Sequence, residues 1–131
     1  MNTLGPKVID GQDWLFHICT SNAADEAKQQ GLYHPSSLDF EGFIHLSFKD
    51  QVAGVYERYF TPDQDLVLLT LDRNQLSAPL KIEAAQAPAT KANLSRGGQR
   101  GGLFPHLYGP LNYSAVVDQT SITSETFKAE F

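Results

Sequence analysis

Glu41-Gly42-Phe43-Ile44-His45-Leu46-Ser47-Phe48 sets an ionisable ring and a hydroxyl inside a run that otherwise suits a buried strand. With side chains alternating across a strand, Phe43, His45 and Ser47 share one face, and Ile44, Leu46 and Phe48 share the other. The second face is hydrocarbon and belongs in a core. The first carries polar groups that need partners or water when buried, which makes it the candidate functional surface.

On the C-terminal side of this stretch, Asp50 to Phe60 places Val52, Val55, Tyr56, Tyr59 and Phe60 at helical spacing, so a helix begins directly after the His45/Ser47 strand. Its first amide groups can favour an anion in the same cleft. On the N-terminal side, Trp14 to Thr20 predicts a strand with Trp14, Phe16 and Ile18 on one face and Leu15, His17 and Cys19 on the other. Ser21 or Asn22 is the expected cap of a helix to about Gln30, with Asp25 and Glu26 in its first turn and Gly31 as its left-handed stop. Tyr33 to Ser37 reads as a loop, because Pro35 disfavours helix at His34.

Leu66 to Leu71 is nearly all apolar and too short for a helix, so it predicts a central strand buried on both faces. Asp72 to Leu76 makes a turn. Leu80 to Ala84 is the next strand, with Leu80 and Ile82 inward and Lys81 and Glu83 together on the opposite side. Leu103 to Pro110 is aromatic and contains two prolines, which argues against a regular strand there. Ala115 to Ile122 is the last strand, and Thr126 to Phe131 is expected to pair beside it. About five strands with two helices give an α+β class.

At 131 residues and 41% hydrophobic composition the chain suits one domain. A flexible lead covers residues 1–12 and the domain covers 13–131. Within it, residues 85–102 form a mobile basic loop carrying Lys91, Arg96 and Arg100. A net charge of −5 and a pI near 5.2 argue against general nucleic-acid binding, which calls for surplus Lys and Arg. The lone cysteine, Cys19, allows no intrachain disulfide and suits a reducing cytoplasm, where it is expected to be a buried apolar residue. No leader pattern and no membrane-spanning apolar run is evident. The expected location is cytoplasmic, with no membrane partner and no indication of oligomeric state.

His17, His45 with Ser47, Glu83 and His106 each lie among neighbours that look buried. A single histidine in such a setting is more often a satisfied structural group than a catalyst. Three within one small chain favour a shared site, where an imidazole can act as acid, base or hydrogen-bond donor. Glu83 beside Lys81 is either a solvated pair or a carboxylate suited to a cationic, sugar-like transition state. No metal is expected, since there is no HExxH, no CxxC and no pair of histidines at i, i+4. Gly97 to Gly102 lacks the GK[ST] ending of a phosphate loop.

Trp14-Leu15-Phe16-His17-Ile18, the Glu41 to Ser47 stretch, Gln51-Val52-Ala53-Gly54-Val55 and Phe104-Pro105-His106-Leu107-Tyr108-Gly109-Pro110-Leu111 together resemble the DUF952 family, from about Leu15 to Val117. The resemblance implies an ADP-ribosylation-like fold: two small, mostly antiparallel sheets packed together with flanking helices and a dinucleotide cleft between them. It also implies a transferase-like site with His17, His45 and Glu83 as catalytic candidates, and Ser47, Tyr56, His106 and Tyr108 as ligand-binding candidates. His17 would hold a ribose hydroxyl or phosphate, Ser47 and His45 would shape the cleft, and Tyr56 or Tyr108 would stack on the base. Glu83 would support the oxocarbenium-like centre. NAD is the candidate substrate, a small phosphorylated nucleotide the candidate partner, and no tightly bound cofactor is expected. The alternatives are a non-catalytic binding or interaction module of the same fold and a chemistry similar to that of the RNA 2′-phosphotransferases.

Overall fold

The computed structural model describes residues 14–61, 64–84 and 103–122. The expected lead, the basic loop 85–102 and the strand at Thr126 to Phe131 lie outside the described residues. In chain order the elements are β1 (Trp14–Thr20), α1 (Ser21–Gln30), β2 (Leu32–Tyr33), α2 (Ser36–Glu41), β3 (Ile44–His45) and α3 (Val52–Tyr59). They continue with β4 (Leu66–Asp72), β5 (Leu80–Ala84), β6 (Leu103–Leu107), β7 (Leu111–Asn112) and β8 (Val116–Ser121). Single 3-10 turns occupy Lys49–Gln51, Arg73–Gln75 and Tyr113–Ala115.

The strands build two three-stranded sheets, β1-β4-β8 and β3-β6-β5, and a two-stranded β2-β7 ribbon, all antiparallel. With α1 to α3 this is an α+β architecture. β4 is central because its apolar run serves two cores. Val67, Leu69 and Leu71 meet Leu15, Ile44, Leu46, Leu107 and Leu111, so both larger sheets share one core. Leu66 and Leu68 meet Phe16, Ile18 and Val52 in a second cluster, against which Val55, Tyr56 and Phe60 pack. Burial on both faces removes any alternation from the sequence of β4. Each fully buried leucine contributes roughly 1.5 to 3 kcal/mol.

Several local expectations are corrected. Thr20, not Ser21 or Asn22, caps α1: its Oγ1 accepts from the Ala23 N–H at 3.1 Å, and Asp25 and Glu26 fall beyond the first turn. Gly31 does take the left-handed position, with φ 79°. Within Tyr33 to Ser37 only His34 and Pro35 lie outside regular structure. Leu32–Tyr33 pairs with Leu111–Asn112, and Pro35 stands in extended geometry just ahead of α2, where its missing N–H does not interrupt a helix.

The Phe43 to Phe48 stretch is a strand only at Ile44–His45, after which Ser47 makes one isolated bridge to Phe16. Leu103–Leu107 is a strand after all, and the middle one of its sheet. Pro105 fits there because its carbonyl accepts from the Leu46 N–H at 3.0 Å, so its donorless side faces β3 just where that ladder ends. Toward β5, Pro105 lies opposite Ile82 at a position that needs no N–H. Ile82 itself is 37% exposed and stands outside the core, because β5 is an edge strand.

Candidate functional site

β1 is the free edge of its sheet, and the β3 segment approaches it through one bridge. Phe16 and Ser47 exchange both backbone bonds, at 2.9 and 2.8 Å. Continuing that register would pair Ile18 with His45. Instead the two segments part, and a side chain spans the gap: Nδ1 of His17 donates to the His45 carbonyl at 2.8 Å. That leaves Nε2 as the acceptor for the Tyr33 hydroxyl, also at 2.8 Å. The Cys19 thiol lies within hydrogen-bond reach of the same hydroxyl. Burial pushes Cys19 up to about 11, so it stays a thiol.

Where the segments part there is a cleft of about 540 Å³, within the range of small-molecule sites. His17, Cys19 and Thr20 line one side, Glu41, His45, Ser47 and His106 another, and Arg58, Tyr59 and Phe60 close it from the end of α3. Alternation along β5, β6 and β3 puts Glu83, His106 and His45 on one face of the second sheet, since His106 is the direct cross-strand neighbour of both His45 and Lys81.

On this face the carboxylates hold the imidazoles. Nε2 of His45 donates to Glu41 Oε1. Nδ1 of His106 lies 3.0 Å from Glu83 Oε1, and the Tyr108 hydroxyl donates to the same oxygen. The Tyr108 and His106 hydrogen bonds, the former the stronger influence, keep the Glu83 carboxyl below the ordinary range. Burial lowers His106, against the opposing pull of Glu83. Phe43 stacks on His106 at 4.1 Å and meets His45 edge-on at 4.8 Å, while Lys81 lies over the Tyr108 ring at 4.7 Å.

The sequence does not single out Arg58. Its guanidinium lies over the Tyr59 ring at 5.6 Å and makes no ion pair among the described residues. Its Nε is buried without a hydrogen-bond partner.

The family model for DUF952, described as a protein of unknown function, matches residues 18–119. The chain belongs to the DUF952 family. The crystal structure of protein CC0527 from Caulobacter crescentus is similar to it, at 30% identity over 82% of this chain and 84% of that one, with a TM-score of 0.66. The solution NMR structure of the same protein is similar at 33% identity over 85% of both chains, with a TM-score of 0.63. Among curated proteins none matches.

In this DUF952 protein, His17, His45, Ser47 and His106 gather at one cleft. Glu83 and Tyr108 are not among the residues that line it; they stand behind His106. Tyr56 packs on the second apolar cluster beside Phe16 and Val52. The carboxylate that lines the cleft is Glu41. Among the described residues no three His, Cys, Asp or Glu side chains could hold a metal ion, and no helix is long and apolar enough to cross a membrane.

Burial holds His17 down at about 4, so the folded DUF952 domain keeps it neutral near pH 7. The unfolded chain takes up a proton at about 6.5. Between those values the unfolded state binds more protons, so stability falls as pH drops from 6.5 toward 4. The full gap corresponds to about 3 kcal/mol, an upper value because His17 is partly open to the cleft. Urea denaturation at several pH values should show this loss, and a His17→Gln variant should not share it.

Proposed function

We propose that the cleft binds NAD or a related phosphorylated nucleotide, on a fold of the ADP-ribosyltransferase kind, and that its chemistry is ADP-ribosyl transfer. The observation that carries the reading is Arg58. In a chain of net charge −5, a guanidinium on a cleft wall has no carboxylate among the described residues and one buried nitrogen without an acceptor. A buried donor left unpaired costs about 1 to 3 kcal/mol, which a phosphate drawing the side chain over would relieve.

The other walls supply what a nucleotide needs. Tyr59 and Phe104 are the cleft-lining rings available to a base, in place of Tyr56. Glu41, not Glu83, lines the cleft, and its carboxylate would support an oxocarbenium-like centre there. Ser47 and Thr20 offer hydroxyls to the ribose. His17 supports a second reading, a binding module without catalysis, because both its ring nitrogens already serve the fold.

Titration of histidine-labelled protein with NAD is expected to move the ring signals of His45 and His106. Arg58→Ala should weaken that binding by about 10- to 100-fold, the worth of a charged hydrogen bond. Unchanged histidine signals at millimolar NAD would end the nucleotide reading. Binding without nicotinamide release would leave the module.

A further inference from the structure

His106 lines the cleft with a chemistry that binding alone does not use. Its Nδ1 faces a carboxylate, which only accepts, so the ring hydrogen sits on Nδ1 and Nε2 keeps a lone pair. The ring is held on three sides: Glu83 bonds its Nδ1, Phe43 stacks on its face at 21°, and His45 meets it edge-on with centroids 5.5 Å apart. Tyr108 in turn fixes Glu83. Arg58 Nε is the single buried side-chain nitrogen or oxygen without a partner among the described residues. No partner of His106 Nε2 is found among the described residues, and the ring, although only 1% exposed, is part of the cleft wall.

We infer that His106 is the general base of this cleft: Nε2 accepts the proton of a hydroxyl nucleophile, an alcohol or water, with Glu83 as its positioning residue. The inference rests on the reading that the cleft holds NAD or a close relative. In the step, the nucleophile oxygen bonds to the ribose C1′ and the C1′–N bond to nicotinamide breaks. The bonding pair neutralises the pyridinium nitrogen, and the hydroxyl hydrogen ends on Nε2. Water as acceptor yields ADP-ribose and nicotinamide. A neutral hydroxyl needs such a base, whereas a thiolate does not, so the site favours oxygen acceptors.

The groups that face His106 are Glu83 and Lys81 from β5, His45 from β3, Glu41 from α2 and Tyr108 beyond β6. Glu83 and Glu41 favour its protonated form, and His45 opposes it. Nicotinamide release from NAD, followed across pH on the full chain, is expected to fall on the acid side as His106 gains a proton. His106→Asn, whose amide imitates Nδ1–H toward Glu83 and offers no base, should lower kcat at saturating NAD about a hundredfold or more and erase the acid limb. Glu83→Gln should move the limb to lower pH, because a carboxylate that favoured protonation is gone, and lower the plateau about tenfold. A merely structural Glu83 would lower the rate without moving the limb, and that result overturns its role. Wild-type turnover in His106→Asn overturns the base, as does NAD binding to the native protein without nicotinamide release; both leave the binding site standing. Absence of NAD binding removes both readings together.

Discussion

Replacing His17 by alanine is expected to lower the unfolding free energy by about 3 to 5 kcal/mol at neutral pH. The imidazole is the side-chain strut between β1 and the β3 segment beyond their single backbone bridge, and it also fastens β2 through Tyr33. Its removal deletes two hydrogen bonds at once. The Tyr33 hydroxyl keeps Cys19 as a weak neighbour, whereas the His45 carbonyl loses this partner. The space vacated lies between the buried Leu15 and Cys19 and cannot close without moving β1. Equilibrium urea denaturation measures the effect. The difference should shrink toward pH 4, because the native protein loses its own His17 contribution there. A loss below about 1 kcal/mol with NAD binding abolished would make His17 a ligand group and not a strut.

Gly109→Ala is the second large effect, expected at about 2 to 4 kcal/mol. Gly109 has φ +157°, a conformation side chains rarely adopt, and a Cβ there would stand 2.8 Å from the Ala78 Cβ. Both costs fall on the turn that holds Tyr108, whose N–H donates to the Pro79 carbonyl at 2.8 Å and whose hydroxyl secures Glu83. The substitution should therefore loosen His106 as well as destabilise the fold. Adding Ala78→Gly removes the clash but not the backbone strain, so about half of the lost stability should return. Thermal melting of the single and double variants reads both. Full recovery in the double variant would mean that the backbone conformation costs nothing.

β1, α1, β4 and β8 were legible within about two residues because each is decided by its own pattern: alternation, a glycine stop, or a continuous apolar run. α2, β2 and β6 were not. Pro35 and Pro105 looked like breakers, yet a proline matters only where its absent N–H is needed, and that depends on the neighbouring chain. Pro105 faces β3 at the end of its ladder, a fact of register between residues some sixty apart in sequence, which no local pattern carries.

The same division runs through the site. That His17 and His45 sit on strands among buried neighbours followed from the order of residues, since the faces of a strand are set by a period of two, whereas the strand that carries His106 did not. Which carboxylate lines the cleft did not follow. Glu83 stands behind His106 because β5 lies on the far side of β6 from β3, whereas Glu41 reaches the cleft because α2 leads straight into β3. Arg58 was invisible for the same reason: on a helix surface a cation has no meaning until the opposite wall is known. Side-chain alternation and apolar runs are properties of neighbouring residues, so the chain alone settled β1 and β4 and the strand places of His17 and His45. Pairing between distant segments is a property of the folded whole, and only that decided where the cleft opens and which charges face it.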